Sequence, residues 1–298
     1  MSTTIKYTQC PVCASAAIGP KLTAADHTVS QQAFEIWECA DCTCCFTQDV
    51  PDEESIGTFY RSDNYISHSN TSQGLINRLY HSIRTITLKQ KHRLIKNSTR
   101  LSTGSVLDIG AGTGAFAAFL QRSGWRVTGL EPDEAARVVA SNSNNITLLP
   151  GEQLFQLPEE SFDAITLWHV LEHVHMLHPY MGQLKKLVKP NGRIFIAVPN
   201  YTSYDAKWYN KYWAAYDVPR HLYHFSPQAM RTLLKQHGLK LVTTKPMWFD
   251  SFYVSLLSEK YKGSQGNFLR ACWTGFVSNC KARLHTGRCS SLIYVITR

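Results

Sequence analysis

A run of glycines at alternate positions follows a short apolar stretch in the first half of the chain. Residues 106–109 are apolar except for Asp108, and the glycines that follow are Gly110, Gly112 and Gly114. Good helix formers begin at Ala115. This order predicts a strand, a tight turn and a helix start. Because glycine adopts conformations closed to other residues and lets a ligand touch the backbone, we expect this turn to bind a ligand.

Two ligands compete for this turn. The spacing of Gly110, Gly112 and Ala115 fits a dinucleotide fingerprint, in which a pyrophosphate lies on the helix N-terminus. Asp108 argues against that ligand, because its carboxylate would repel a pyrophosphate. The same carboxylate suits S-adenosylmethionine (SAM), which carries an amino group and a positively charged sulfonium.

A second carboxylate, Glu131, follows the apolar stretch 125–130, which is a predicted strand. A carboxylate at this place can accept hydrogen bonds from both ribose hydroxyls. Asp108, Glu131 and the D-x-G-x-G-x-G turn together resemble the class I SAM-dependent methyltransferases, over residues 100–245. The resemblance implies an α/β, Rossmann-like sheet of seven strands in the order 3-2-1-4-5-7-6, with strand seven antiparallel.

The sequence after residue 100 alternates between strand and helix patterns, as such a sheet requires. The predicted strands are 105–109, 125–130, 146–149, 162–169, 193–198, 239–244 and 291–297. Asn191-Gly192 is expected to precede strand five, and 170–174 to open a helix. The stretch 247–288 is predicted to be a helical insert before the last strand.

The resemblance places cofactor contacts behind the strands. Residues 151–154 lie where the family has its adenine-contacting loop, and Leu171-Glu172-His173-Val174 closely resembles the corresponding element of ubiquinone-type O-methyltransferases. The expected cofactor-binding residues are Asp108, Gly110, Ala111, Gly112, Gly114, Glu131, Pro132, Gln153, Leu154, Trp168 and His169.

The densest cluster of aromatic and ionisable residues, 208–225, follows strand five. It resembles the W-x-x-x-D-x-P-R-H-L-x-H-F loop of a subgroup of these enzymes, and its position suggests an acceptor wall rather than a rigid cap. A methyl transfer from SAM needs positioning, plus removal of a proton from a hydroxyl or ammonium acceptor. The candidate bases are His169, His173, His221 and His224, because histidine titrates near neutral pH. The expected catalytic residues are His221, Arg220 and His173, with Asp217 either orienting His221 or pairing with Arg220.

Two C-x-x-C pairs lie near the N-terminus, with 25 residues between them. They consist of Cys10, Cys13, Cys39 and Cys42. Paired knuckles of this kind are typical of a four-thiolate zinc site, so we expect a structural Zn²⁺ in a small zinc ribbon. Reduced, unliganded cysteines or a redox pair are the alternatives. Cys44 and Cys45 are nearby competitors for the ligand positions.

The chain has 298 residues and 44% hydrophobic content, enough for a sizeable core. The predicted domains are a zinc ribbon (1–50), a helical lid or linker (51–100) and a methyltransferase domain (101–298). Tyr65 and His68, in the linker, are candidate lid contacts. No apolar run reaches membrane-spanning length and no signal peptide is recognisable, so a cytoplasmic location is expected.

The sequence favours methyl transfer to a small-molecule, lipid-like or sugar-containing acceptor. The net charge of +9 invites an anionic partner, either nucleic acid or a peripheral contact with an anionic membrane. An RNA methyltransferase is therefore one alternative, although the sequence lacks an N-P-P-Y-type motif. A SAM-binding regulatory or scaffold protein without turnover is the other. The acceptor and the oligomeric state are left open.

Overall fold

The structure is a computed structural model that describes residues 4–60, 75–263 and 266–298, with side chains in the first long helix described from residue 84. The strands are β1 (Thr4–Ile5), β2 (Ile18–Ala25), β3 (Ala33–Cys39), β4 (Cys45–Thr47), β5 (Val50–Pro51), β6 (Ser105–Ile109), β7 (Arg126–Leu130), β8 (Phe162–Trp168), β9 (Val188–Pro199), β10 (Tyr223–His224), β11 (Lys240–Pro246) and β12 (Ser291–Thr297). The helices are α1 (Leu75–Thr99), α2 (Ala115–Arg122), α3 (Glu134–Asn144), α4 (Leu177–Leu187), α5 (Tyr204–Tyr209), α6 (Pro227–Gln236), α7 (Asp250–Lys262) and α8 (Phe268–Leu284). Tyr65 and His68 lie outside the described residues.

The largest sheet has six strands in the order β11-β12-β9-β8-β6-β7. In the numbering of the predicted strands this is 6-7-5-4-1-2, which is the expected order without strand three. Strand β6 is buried throughout and pairs in parallel with both β7 and β8. The Rossmann-like fold class expected from the sequence is confirmed.

The third predicted strand, 146–149, is reduced to one parallel bridge between Leu149 and Leu130. Asn145 ends α3 in the left-handed conformation at φ 50°, and Pro150, which has no N–H to donate, follows Leu149. Only four residues separate these two breaks, so no regular strand forms here.

Two further boundaries differ from the prediction. Strand β9 begins at Val188, before Asn191-Gly192 rather than after it. Gly192 fits inside the strand because it lacks a Cβ atom. A Cβ atom built there would lie 2.7 Å from Val188 Cγ2 and 3.0 Å from the carbonyl oxygen of Phe162. The stretch expected to open a helix at 170–174 forms a 3₁₀ turn, Leu171–His173, and α4 starts at Leu177.

The N-terminal cysteine region forms a four-stranded sheet in the order β10-β4-β3-β2. Strands β2, β3 and β4 come from residues 18–47, whereas β10 comes from the predicted acceptor wall. Strand β10 pairs antiparallel with β4, with Tyr223 opposite Phe46 and His224 opposite Cys45. This pairing was not expected from the sequence.

The chain divides into two compact units. The first comprises Met1–Tyr65, His169–Met181 and Ile196–Tyr294, and the second Ile66–Trp168, Gly182–Phe195 and Val295–Arg298. The first unit has a hydrophobic core that includes Trp213, Tyr216 and Val254. The second packs α2 and α3 through Ala117, Ala118 and Ala140. The domain ranges predicted from the sequence remain predictions.

Within the described residues, none of the helices has both the length and the apolar character needed to cross a membrane.

Candidate functional site

The glycine turn takes the conformation that its composition suggests. Gly110, Gly112 and Gly114 have φ angles of 66°, 55° and 75°, in the left-handed region that favours glycine. A Cβ on Gly114 would lie 2.6 Å from Ile146 Cγ2. The amide of Ala111 donates to the carbonyl of Leu130 at 2.9 Å, which fixes the turn against the end of β7.

Asp108 is buried at the carboxyl end of β6, with 1% of its surface exposed. Thr166 on β8 donates its hydroxyl to Asp108 Oδ1 at 2.6 Å. Burial raises the pKa of Asp108 to about 6, although this hydrogen bond and Lys91 oppose the rise. A cation that approaches Asp108 would therefore stabilise the ionised form of its carboxylate.

Glu131 connects the end of β7 to the glycine turn. Its Oε2 accepts from the amide of Gly112 at 2.7 Å, and its Oε1 accepts from the amide of Asp133 at 3.0 Å. Burial raises its pKa, while these two backbone donors lower it. Each oxygen keeps a second lone pair for a further donor. Pro132, next in the chain, is exposed.

The expected adenine contacts lie in a 3₁₀ helix, Gly151–Gln156. Leu154 is fully buried and its carbonyl accepts from Gln183 at 3.0 Å, whereas Gln153 is half-buried. At the end of β8, Lys91 Nζ lies 4.3 Å from the centre of the Trp168 ring. Trp168 Nε1 is buried and has no hydrogen-bond partner among the described residues, so a ligand acceptor would satisfy it.

His169 belongs to a partly exposed network of ionisable groups in the first compact unit. Its Nδ1 lies 3.3 Å from Glu172 Oε1, and its Nε2 lies 3.0 Å from Asp250 Oδ2. Burial lowers the pKa of His169, but these two carboxylates outweigh burial and raise it to about 10. Its expected role as a cofactor contact stays a prediction.

His173 and His221 are brought together, as expected for two members of one site. Their ring centres are 4.6 Å apart. His173 Nδ1 lies 3.0 Å from the carbonyl oxygen of Arg220, and His221 Nδ1 lies 2.9 Å from that of Ala215. A carbonyl only accepts, so each Nδ1 carries the proton and each Nε2 is left to accept one. Burial and His221 lower the pKa of His173 to about 4.

Glu172 joins this pair. One ligand atom from each of Glu172, His173 and His221 lies within 4.8 Å of the other two. Glu172 is fully buried, and its Oε2 has no hydrogen-bond partner among the residues described. Two imidazole nitrogens and a carboxylate are the groups that take a proton from a hydroxyl or hold a divalent cation.

Arg220 is buried, with 1% of its surface exposed, and its donors are directed at other protein groups. Its Nε and Nη2 form a fork with Asp217 at 3.0 and 2.6 Å, and its Nη1 donates to the carbonyl of Phe59 at 2.8 Å. Nη2 also donates to Asp26 Oδ1 at 3.0 Å and to the Thr28 hydroxyl. Asp217 therefore pairs with Arg220, and its Oδ2 also lies 3.9 Å from His221 Nε2, so the structure brings it near both of its predicted partners.

His224 contacts Thr47 rather than the cluster of Glu172, His173 and His221. Thr47 donates its hydroxyl to the carbonyl of His221 at 2.7 Å, so His224 Nε2, at 3.2 Å from the same hydroxyl oxygen, acts as a donor to it. The amide of Thr47 also donates to the carbonyl of Leu222 at 2.9 Å. Thr47 thus attaches the ribbon sheet to the loop that carries His221.

The four predicted zinc ligands converge. The sulfur atoms of Cys10 and Cys42, and those of Cys13 and Cys39, are 3.5 Å apart, and all four ligand atoms lie within 4.8 Å of one another. A disulfide needs about 2.05 Å, whereas a zinc–sulfur bond of about 2.3 Å gives a tetrahedral sulfur spacing near 3.8 Å.

The residues after the knuckles and the neighbouring cysteines support this ligand set. Ala14 and Thr43 have φ angles of 58° and 59°, so both knuckles close with the same turn. Cys44 is buried and directs its thiol to the carbonyl of Cys45 at 3.2 Å, which removes it from the choice of ligands.

Four residues of these sites escaped the sequence analysis as site members: Asp26, Thr166, Glu172 and Asp250. Asp26 and Arg220 are separated by 194 positions, so no local pattern relates them. Glu172 stands between two quoted histidines, and an acid in an otherwise apolar stretch was the available signal. Asp250 was taken as part of an insert, although it begins α7 beside His169.

Comparison with known proteins agrees with this geometry. A family model described as a methyltransferase domain matches residues 82–244. A ubiquinone biosynthesis O-methyltransferase of Maricaulis maris (strain MCS10) is 32% identical over 149 residues, which are 46% of this chain and 59% of that protein. A tRNA U34 carboxymethyltransferase of Ruthia magnifica subsp. Calyptogena magnifica is 32% identical over 114 residues, 35% of this chain and 36% of that protein. The chain therefore spans less than two thirds of the length of these relatives.

A solved SAM-dependent methyltransferase from Archaeoglobus fulgidus resembles the fold with a TM-score of 0.50 and 17% identity, covering 72% of this chain and 94% of that one. The family match takes in β6, the glycine turn, Glu131 and the histidine cluster, and it extends over more than half of the sequence. The chain belongs to the methyltransferase-domain family.

Proposed function

We propose that this chain transfers a methyl group from SAM to a small-molecule, lipid-like or sugar-containing acceptor. The observation that carries the proposal is the pair of buried carboxylates at the glycine turn. Asp108 offers negative charge to a cationic ligand, and Glu131 offers lone pairs to ribose hydroxyls. A pyrophosphate would meet repulsion from Asp108.

His221 is the proposed base for the acceptor. Its Nδ1 proton is held by the carbonyl of Ala215, so Nε2 is the nitrogen that can take a proton from an acceptor hydroxyl. His173 presents the same tautomer for the same reason. SAM held by Asp108 and Glu131 would supply the methyl group to the deprotonated acceptor oxygen, with S-adenosylhomocysteine as the leaving group.

For Arg220 we propose a positioning role within this acceptor site. A direct contact with an anionic acceptor would require the guanidinium to give up Asp217, Asp26 or a carbonyl, all of which it holds in a buried place. Its carbonyl also fixes the His173 tautomer. Arg220→Lys should therefore lower turnover, because an ammonium cannot reproduce the fork with Asp217.

A structural Zn²⁺ on Cys10, Cys13, Cys39 and Cys42 completes the proposal. The spacing of the sulfur atoms supports a tetrahedral ion. The ion would stabilise the ribbon sheet, and through β4 and Thr47 the loop that carries His221.

The test is incubation with methyl-labelled SAM and fractionated cell extract. We expect one small-molecule or lipid fraction to take up label, and His221→Ala to lower the rate by about a hundredfold, with SAM affinity within about threefold of wild type. His285→Ala, at an exposed histidine, is the matched control and should keep full activity. SAM binding without label in any fraction would instead indicate a binding protein without turnover.

An RNA acceptor is the second candidate, favoured by the net charge of +9 and by the similarity to a tRNA-modifying enzyme. Label in an RNA fraction, with binding that weakens steeply as salt rises, would establish it.

A further inference from the structure

Helix α8 presents its large apolar side chains outward and its small ones inward. Its buried residues are Ala271, Thr274, Gly275, Ser278 and Ala282. The buried face packs against α7 so closely that a Cβ on Gly275 would lie 2.7 Å from Phe252 Cδ1. This close approach fixes the rotation of the helix, so the opposite face cannot turn inward.

That opposite face is apolar. Leu269, Trp273, Phe276 and Leu284 are 79%, 65%, 53% and 79% exposed. Their spacing of four, three and eight positions keeps them within about a quarter of the helix circumference. Phe268, at the start of the helix, is 67% exposed. A contiguous apolar stripe of this kind marks an interaction surface rather than scattered surface residues.

The charges around the stripe are nearly all positive. Residues 251–288 contain six lysines and arginines, all exposed, and one acidic residue, Glu259, which is buried. The six are Lys260, Lys262, Arg270, Lys281, Arg283 and Arg288. None of them forms an ion pair with an acidic side chain in the part of the chain that the structure describes.

We propose that the α8 stripe, defined as Leu269, Trp273, Phe276 and Leu284, docks this protein on an anionic phospholipid membrane surface. Tryptophan, phenylalanine and leucine on one face, bordered by lysine and arginine, is the composition of a helix that lies in the interface of a membrane. The positive charges approach the lipid head groups while the stripe enters the acyl boundary.

The positive charges around the stripe favour a membrane over a second copy of the chain, and the apolar stripe favours a membrane over a nucleic acid. A second copy of the chain would bring two sets of unpaired positive charges together, which opposes association. A nucleic acid would satisfy the charges but would leave Leu269 and Leu284 without an apolar partner. An anionic membrane surface, with charged head groups over an apolar interior, satisfies both features. The proposal is independent of methyl transfer, because it concerns lipid binding alone.

The experiment is co-sedimentation of the full chain with vesicles of phosphatidylcholine, alone or mixed with phosphatidylglycerol. We expect binding to the mixed vesicles to be at least about tenfold tighter, and to weaken with salt. Trp273→Ser/Phe276→Ser should weaken it by about tenfold or more, since two apolar side chains no longer leave water. Arg270→Gln/Arg283→Gln should reduce the preference for phosphatidylglycerol.

The matched control is Val138→Ser/Val139→Ser, which removes exposed apolar surface from α3 and should leave lipid binding within about twofold. Unchanged thermal midpoint and SAM affinity in each variant show that the fold is kept. Absence of vesicle binding by the wild type, or equal binding by Trp273→Ser/Phe276→Ser, would overturn the proposal. So would light scattering that finds a wild-type dimer which the same double variant makes monomeric, because a second copy would then cover the stripe.

Discussion

Asp108 shows how burial prepares a single side chain for a charged ligand. The carboxylate has lost most of its water and accepts a hydrogen bond from Thr166. Its pKa of about 6 reflects the cost of ionising it there. A cation placed beside it repays that cost, because opposite charge favours the ionised form.

SAM affinity should therefore depend on pH through Asp108. Binding of the cationic ligand selects the carboxylate form, so affinity is full above the pKa of about 6 and falls as pH drops below it, by up to about tenfold per pH unit. The raised pKa of Glu131 acts in the same direction. Calorimetry between about pH 5 and pH 8 measures the slope.

Asp108→Asn is the control for this pH dependence. The variant should bind SAM more weakly at neutral pH and lose most of the slope, since the amide does not titrate. A slope that is equal in wild type and variant would assign the pH dependence to another group.

Breaking the buried ion pair of Arg220 and Asp26 should lower the stability of the fold. Both side chains are almost fully buried, and Asp26 accepts five further hydrogen bonds from residues 28–30. Asp26→Ala leaves the guanidinium without this partner, so the free energy of unfolding should fall by about 3 kcal/mol. Denaturant unfolding measures the change. Lys186→Ala, at an exposed pair with Glu159, should change it by less than about 0.5 kcal/mol, and equal effects of the two substitutions would contradict this account.

At the scale of elements, local patterns identified the strands that carry the cofactor turn. Strand β6 begins and ends as predicted, because an apolar run followed by three glycines leaves little choice of structure. The 3₁₀ turn at Leu171–His173 was not predictable, since its backbone is fixed by a distant residue: the amide of Leu222 donates to the carbonyl of Glu172 at 2.8 Å. The same holds for β10, whose partner β4 is nearly 180 positions away.

The pairing of β4 with β10 predicts that the ribbon affects turnover. Cys10→Ser/Cys39→Ser should lose about one zinc per chain and lower methyl transfer, because Thr47 and β4 then hold the His221 loop less firmly. SAM affinity should stay within about threefold, since Asp108, Glu131 and the glycine turn, which we propose to hold SAM, are outside the ribbon. Metal analysis and calorimetry check both parts.

Cys272→Ser/Cys280→Ser is the matched control, at thiols outside the four-cysteine cluster. Zinc retained in the ribbon variant, or zinc lost in the control, would show that the four predicted cysteines are not the ligands.

On the scale of the whole molecule, the strand order could be predicted from the sequence and the histidine cluster could not. The order of six strands is the one that the family resemblance implied, whereas the alternation of strand and helix patterns along the chain predicted a doubly wound sheet and no order. The histidine cluster was not predictable, because it joins a turn after β8 to a loop after β9 and is fixed by residues from 26 to 250. The sequence singled out His173 and His221, but only the fold brings Glu172 close to both of them and pairs β10 with β4 of the ribbon.

The measurement that tests the central claim most directly is calorimetric titration of the full chain with SAM and, separately, with NAD. The account predicts that SAM binds and NAD binds much more weakly, because the buried carboxylate of Asp108 at the glycine turn favours a cation over a pyrophosphate. Glu131→Ala should weaken SAM binding by at least about tenfold, or roughly 1.4 kcal/mol. Tighter binding of NAD than of SAM, or equal SAM affinity in wild type and Glu131→Ala, would contradict it.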